Sequence, residues 1–243
     1  MLVPALDLKA GLAVHARRGE RAQYAPVRSL LAPDAPGDAV ALASAYREVL
    51  GATTLYIADL DAITGGPAQL ALLARVREAF GGALWVDAGV RTEDDARWLL
   101  EDGIDQVIVG SETLVSVAAL GALARMTGPE RLIVSLDHQR GRPLGALGDT
   151  TALAAEQAWA LDLRRFIVLD FAKIGAEDGP PFGLVRELLR TCPEAEVWAG
   201  GGIRDADDLA ACLAFGARGA VVGTAVHNGR LADGRTSGQA DAG

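Results

Sequence analysis

The sequence predicts a single α/β domain: a (β/α)8, or TIM, barrel built from two half-barrel repeats over residues 1–230. Eight short, nearly continuous apolar runs recur along the chain, as parallel strands buried on both faces require. Helical patterns fill the intervals between them. A 28-residue stretch also occurs twice: LWVDAGVRTEDDARWLLEDGIDQVIVGS at 84–111 and VWAGGGIRDADDLAACLAFGARGAVVGT at 197–224 align without a gap at an offset of 113, with nine identical positions. That offset splits the chain into two four-strand halves. It favours the barrel over a doubly wound open sheet.

In chain order, strands are expected at 2–7, 53–59, 83–88, 105–109, 131–137, 165–170, 196–200 and 218–222. Helices are expected at 37–50, 67–79, 93–102, 114–126, 150–162, 181–191 and 205–215. Thr92 before Glu93 and Asp94, and Asp205 before Asp207 and Asp208, carry the chemistry of helix N-caps, and Thr150 or Thr151 serves the fifth helix in the same way. The segment 16–36, with three prolines and several charges, reads as a long loop, either a lid or an insertion. The stretch 231–243 is rich in Gly, Ala and Asp, and is expected to be a disordered tail.

Bulk properties narrow the function. The formal charge of −9 argues against nucleic acid or an anionic membrane surface as the main partner. No apolar run reaches the roughly 18 residues of a spanning helix. The N-terminus has no secretory pattern, and Cys192 and Cys212 form no disulfide framework, so a cytoplasmic setting is expected. His15, His138 and His227 are scattered without metal spacing, so neither a metal nor a cofactor is expected; His138 reads as a loop residue.

In a barrel of this kind the active site lies at the C-terminal strand ends. Those ends carry Asp7, Asp59, Asp87, Asp137 and Asp170, five carboxylates read as facing one mouth, with Gly110–Ser111, Gly200–Gly202 and Gly223–Thr224 beside them. Opposed carboxylates on the first and fifth strands suit a general base and a general acid. Small residues and hydroxyls at the ends of both repeat copies suit close approach of backbone N–H groups to an anion, which points to a substrate with a phosphate at each end. Lys9 and Lys173 lie just beyond strand ends, within reach of an anion or of solvent.

PALDLK at 4–9, ADLDAITGG at 58–66, SLD at 135–137, LDFAKIG at 169–175 and the segment 201–226 resemble the histidine-biosynthesis barrel family, as do the two repeat copies. The similarity spans roughly 1–230, and PALDL resembles the isomerase branch, the phosphoribosylformimino-aminoimidazole-carboxamide ribotide isomerases, rather than the cyclase branch. The resemblance implies an Amadori-type aldose–ketose isomerisation of a phosphorylated ribosyl compound, without cofactor or obligate protein partner. By motif position it makes Asp7 the base and Asp137 the acid; Asp170 is a third catalytic candidate from its strand-end position. It assigns one phosphate site to Gly201, Gly202, Gly223 and Thr224, and the other to Gly89, Arg91, Gly110 and Ser111; Asp59, Asp87 and Lys173 are further candidates from their strand-end positions alone.

The chain departs from the family pattern in three places, one of them His15, which stands where an Arg is common after the first Val-Val pair. The sixth strand usually continues Thr-Asp-Ile-x-Arg/Lys-Asp-Gly-Thr; here it reads Leu169, Asp170, Phe171, Ala172, Lys173, Ile174, Gly175, Ala176. The third strand usually ends in three glycines; here it ends Asp87-Ala88-Gly89. These departures fit a divergent paralogue acting on a different phosphorylated substrate, in cofactor synthesis or as a non-catalytic phosphate-binding barrel. A cyclase-like lyase, which would need an ammonia-supplying partner, is the remaining alternative.

Overall fold

A computed structural model describes residues 1–16, 20–176 and 178–231. Eight parallel strands close on themselves: β1 (Leu2–Lys9), β2 (Thr54–Asp59), β3 (Ala83–Asp87), β4 (Gln106–Gly110), β5 (Leu132–Gln139), β6 (Arg165–Asp170), β7 (Glu196–Gly200) and β8 (Gly219–Val222), with β8 pairing back onto β1. The predicted barrel is therefore present. Parallel pairing needs a crossover between neighbours, and helices supply it. These are α1 (Ala39–Glu48), α2 (Leu70–Phe80), α3 (Glu93–Glu101), α4 (Val117–Thr127), α5 (Thr151–Trp159), α6 (Phe182–Thr191) and α7 (Ala206–Ala214).

The expected caps are in place. Thr92 and Asp95 form a reciprocal capping box on α3, Thr150 rather than Thr151 caps α5, and Asp205 caps α7. Each such cap satisfies helix N–H groups that would otherwise be unpaired, worth about 1 kcal/mol.

Alternate strand residues point to opposite faces, so the barrel has two apolar layers. Outward-facing residues such as Leu55, Ile57, Leu84, Val107, Val134 and Phe166 pack under the helices in the larger cluster. Inward-facing residues form the second cluster, which includes Val3, Tyr56, Trp85, Ile108, Ile133, Ile167, Trp198 and Val221. Trp85 and Trp198, the paired tryptophans of the two repeat copies, meet edge to face here, with ring centroids 4.8 Å apart. The repeat is thus structural as well as sequential: its large identical residues plug the barrel from both halves, and offset or T-shaped contacts of this kind stabilise by about 0.5–1.5 kcal/mol beyond their burial. The same correspondence holds at the turns. Arg91 and Arg204 each donate their backbone N–H to the aspartate four residues on, Asp95 and Asp208.

Part of the segment read as a loop at 16–36 is sheet. Leu12–His15 runs antiparallel to β1, and Ala25–Pro26 pairs with Leu12–His15 in turn. A one-turn helix, Leu60–Ile63, follows β2, and another, Thr224–His227, follows β8. Residues 17–19 of that segment, and all but the first residue of the 231–243 stretch, lie outside the described residues. Among the described residues no helix is long and apolar enough to cross a membrane. Cys192 and Cys212 are both free thiols and both buried.

Candidate active site

Inward parity decides which strand-end acids reach the mouth. On β1 the inward series is Val3, Ala5, Asp7; on β3 it is Trp85, Asp87; on β5 it is Ile133, Ser135, Asp137. Asp7, Asp87 and Asp137 accordingly line one cavity of about 330 Å³ at the C-terminal end of the barrel. That volume lies at the small end of the usual range for ligand sites.

The expectation that all five strand-end acids face the mouth is corrected for Asp59 and Asp170. On β2 and β6 the inward residues are Tyr56 and Ala58, and Ile167 and Leu169, so the final aspartate points the other way. Asp59 is fully buried, and accepts from the Ala62 and Gln69 backbone N–H groups and from Gln69 Nε2 at 2.7–3.2 Å. Asp170 accepts from the backbone N–H groups of Arg140, Gly141 and Ala172 at 2.9–3.1 Å. Both carboxylates hold loops. His138 also differs from expectation: it lies on β5, faces outward, and is buried between the Leu136 carbonyl and the Thr151 hydroxyl.

The three cavity acids are electrostatically unlike ordinary surface carboxylates. Burial raises the Asp137 pKa to about 8 against the Ser135 hydroxyl, which donates to Oδ1 at 2.6 Å; the negative charge of Asp87 adds to the rise. Burial raises Asp7 to about 7, with Arg21 opposing and Asp87 reinforcing. Burial raises Asp87 to about 6, opposed by the Gly89 N–H that its Oδ1 accepts at 3.0 Å. Asp7 on β1 and Asp137 on β5 stand four strands apart in a closed ring of eight. They therefore approach a ligand from opposite walls.

The two halves of the mouth differ. On the β7–β8 side, Gly201, Gly202, Gly223 and Thr224 all line the cavity, with Arg204 and Arg230 at its border. Gly201 and Gly202 have φ of +85° and +80°, a left-handed backbone that glycine adopts without steric cost. A β-carbon on Gly202 would collide with the Gly179 carbonyl, so the turn is also pressed against the loop after β6. Lys173 pins that loop by donating to the Asp178 and Gly179 carbonyls. A β-carbon on Gly223 would meet only Ala5 Cβ, at 3.9 Å, so there is room beside this turn. The first N–H groups of the following helical turn have no intrahelical partner. His15 Nε2 sits 2.9 Å from the Thr224 hydroxyl and orients it.

On the β3–β4 side, Gly89, Arg91, Gly110 and Ser111 are not part of the cavity wall. Arg91 donates to the Ile63 carbonyl at 2.9 Å, and a β-carbon on Gly89 would lie 2.7 Å from Ile63 Cα. Gly145 is packed against the Ser111 carbonyl. Ser111 Oγ accepts the Asp137 N–H at 2.8 Å, so this hydroxyl orients the fifth-strand acid.

The cavity residues that escaped the sequence reading include Arg21, Tyr24, Glu112, Gln139, Arg204 and Arg230. Arg21 pairs with Glu112 and lies 5.8 Å from the centre of the Phe171 ring. Only the unusual charge of the 16–36 segment hinted at it. Among the described residues no group of three or more His, Cys, Asp or Glu side chains is arranged to hold a metal ion.

A family model described as "Histidine biosynthesis protein" matches residues 1–232. The chain belongs to the histidine biosynthesis protein family. Its similarity to named relatives runs over nearly the whole chain. It is 31% identical over 235 residues to the 1-(5-phosphoribosyl)-5-((5-phosphoribosylamino)methylideneamino)imidazole-4-carboxamide isomerase of Lactiplantibacillus plantarum, covering 94% of this chain and 95% of that one. It is 33% identical over 242 residues to the enzyme of the same name from Thermus thermophilus, covering 95% of each. A protein of Methanocaldococcus jannaschii without an assigned activity is 29% identical over 232 residues, covering 95% of this chain and 94% of that one.

Proposed function

We propose that this chain is an intramolecular isomerase that converts a phosphorylated ribosylamine to the corresponding aminoketose by acid–base catalysis between Asp137 and Asp7. Two of the relatives are, by name, isomerases of a phosphoribosyl compound. The observation that carries the reading is the placement of Asp7 and Asp137 on opposite walls of one cavity whose floor is apolar and whose β7–β8 rim is a glycine turn.

The chemistry follows from the pKa ordering. With a pKa near 8, Asp137 is largely protonated at neutral pH and donates to the ring oxygen as the C1–O bond breaks. The nitrogen lone pair forms the C1=N bond as the ring opens. Asp7, with a pKa near 7, is substantially ionised and takes the C2 proton. The electrons of that C–H bond shift to C1=C2, giving an enaminol. Loss of the O2 proton and return of a proton to C1 complete the ketose, with no net gain or loss of atoms. The phosphate end sits at Gly201, Gly202, Gly223 and Thr224, where glycine backbone and helix-start N–H groups suit an anion. It holds the reacting carbons between the two acids. Ser135 and Ser111 position Asp137, and the loop-holding Asp170 supports the turn after β5.

The test is turnover of the aminoaldose that the named relatives act on, by purified protein, together with rescue of an isomerase-deficient histidine auxotroph. Ketose formation supports the reading. Failure in both assays removes the histidine-pathway substrate from it.

A further inference from the structure

Gly110 and Gly223 are equivalent positions of the repeat, but different groups face them. Beside Gly223 there is space. Beside Gly110 stand two carboxylate oxygens: a β-carbon there would lie 3.1 Å from Asp137 Oδ2 and 3.5 Å from Asp87 Oδ2. Two donors that could have cradled a second anion are already used. The Gly89 N–H is held by Asp87 Oδ1 at 3.0 Å, and the Glu112 N–H by Asp137 Oδ2 at 3.1 Å. Asp87, whose counterpart in the other copy is Gly200, is buried and faces the cavity. Glu112 lines the same wall, and Arg21 is paired with it. A phosphate at this pole would meet carboxylates across a short, poorly hydrated gap, and like charges in that setting repel strongly.

We propose that Asp87 is the specificity-determining residue of this wall, and that the substrate carries one phosphate, at the β7–β8 rim, and an amine or other cationic N–H donor at its far end, where Asp87 and Glu112 receive it. The proposal rests on the phosphate seating given under the proposed function. It deepens that reading by replacing the second phosphate with a group of opposite charge. A cation here balances the surplus of carboxylates over Arg21 and donates its N–H groups to carboxylate oxygens that no anion can use. Rejection of a phosphate is the repulsive half of the same selectivity.

The experiment is isothermal titration calorimetry at pH 7.5 with inorganic phosphate, aminohexyl phosphate, hexyl phosphate and hexanediol bisphosphate. The flexible alkyl series lets the far group find the opposite wall. Wild type is expected to bind aminohexyl phosphate about tenfold or more tightly than hexyl phosphate, and the bisphosphate more weakly than either. Asp87→Asn, nearly isosteric and still able to accept the Gly89 N–H, is expected to lose the amine preference while keeping its affinity for inorganic phosphate. Asp87→Gly, which copies Gly200, is expected to improve bisphosphate binding. Tightest binding of the bisphosphate by wild type overturns the proposal, as does equal binding of the amine and plain alkyl phosphates. An amine preference that survives both variants overturns the role of Asp87. Binding of none of the phosphates removes the phosphate seating itself, and the proposal with it. The wild-type ranking needs no variant to fold.

Discussion

Gly223 and Gly110 are 113 residues apart and occupy matching strand ends, yet a methyl group on the first would meet only Ala5 Cβ, at 3.9 Å, while one on the second would press on Asp137 Oδ2 at 3.1 Å. The same substitution therefore has different kinetic consequences. Gly223→Ala is expected to raise KM by about tenfold with kcat little changed, because the methyl displaces phosphate without moving a catalytic group. Gly110→Ala is expected to lower kcat instead, because Asp137 must shift. Steady-state kinetics of the two variants check the split.

Asp7→Asn and Asp137→Asn remove a proton acceptor and a proton donor. Each is expected to lower kcat by about 10²–10⁴-fold, the usual contribution of a positioned acid or base. Calorimetric ligand titration is expected to show that both variants still bind hexyl phosphate, since neither residue belongs to the β7–β8 rim.

The pH dependence follows from the same pair. The proposed mechanism requires Asp7 ionised and Asp137 protonated, so kcat/KM is expected to rise through about pH 7 and fall through about pH 8. The two limbs belong to the coupled pair rather than to either residue alone. The negative charge of Asp87 raises both values. Asp87→Asn is thus expected to move the whole bell toward lower pH, which a profile of wild type beside the variant will show.

Asp87 also has a cost for stability. Its folded pKa of about 6 lies above the 3.8 of an ordinary aspartate, so the folded state binds the proton more tightly than the unfolded state does. The stability this confers is full below the ordinary value and is lost as pH rises from there through about 6. Above that pH the ionised carboxylate is destabilising, and Asp87→Asn is expected to gain about 1–3 kcal/mol. Below pH 4 the gain is expected to vanish. Urea unfolding at pH 4 and pH 8 measures the difference.

Asp170→Ala strands the Arg140, Gly141 and Ala172 N–H groups together. Loss of stability by about 1–3 kcal/mol is expected, since hydrogen bonds to a charged group contribute about that much. Thermal unfolding checks it.

The barrel was legible because parallel strands buried on both faces leave unbroken apolar runs, and all eight strands fall within two residues of where those runs end. The doubling at 84–111 and 197–224 was legible because the turns, caps and tryptophans that repeat are the ones geometry reuses in both halves. Strand-end acids were legible as a set but not as individuals. A one-residue difference in parity sends Asp87 inward and Asp59 outward, and only the register against Tyr56 and Trp85 reveals it. The hairpin at Leu12–His15 and Ala25–Pro26 stayed hidden because its strands are short and proline interrupts one of them. Arg21 and Glu112 come from loops, and their meeting depends on the tertiary fold rather than on local spacing.

The most direct test is proton NMR of the wild-type protein incubated in deuterium oxide with two phosphoribosylamines, the relatives' bisphosphorylated aminoaldose and an amine-terminated analogue with a single phosphate. The expected result is ketose formation from at least one of them, with solvent deuterium at C1, abolished in both Asp7→Asn and Asp137→Asn. Ketose from neither compound, or undiminished ketose in both variants, would contradict the assignment of this cavity as an acid–base isomerase site.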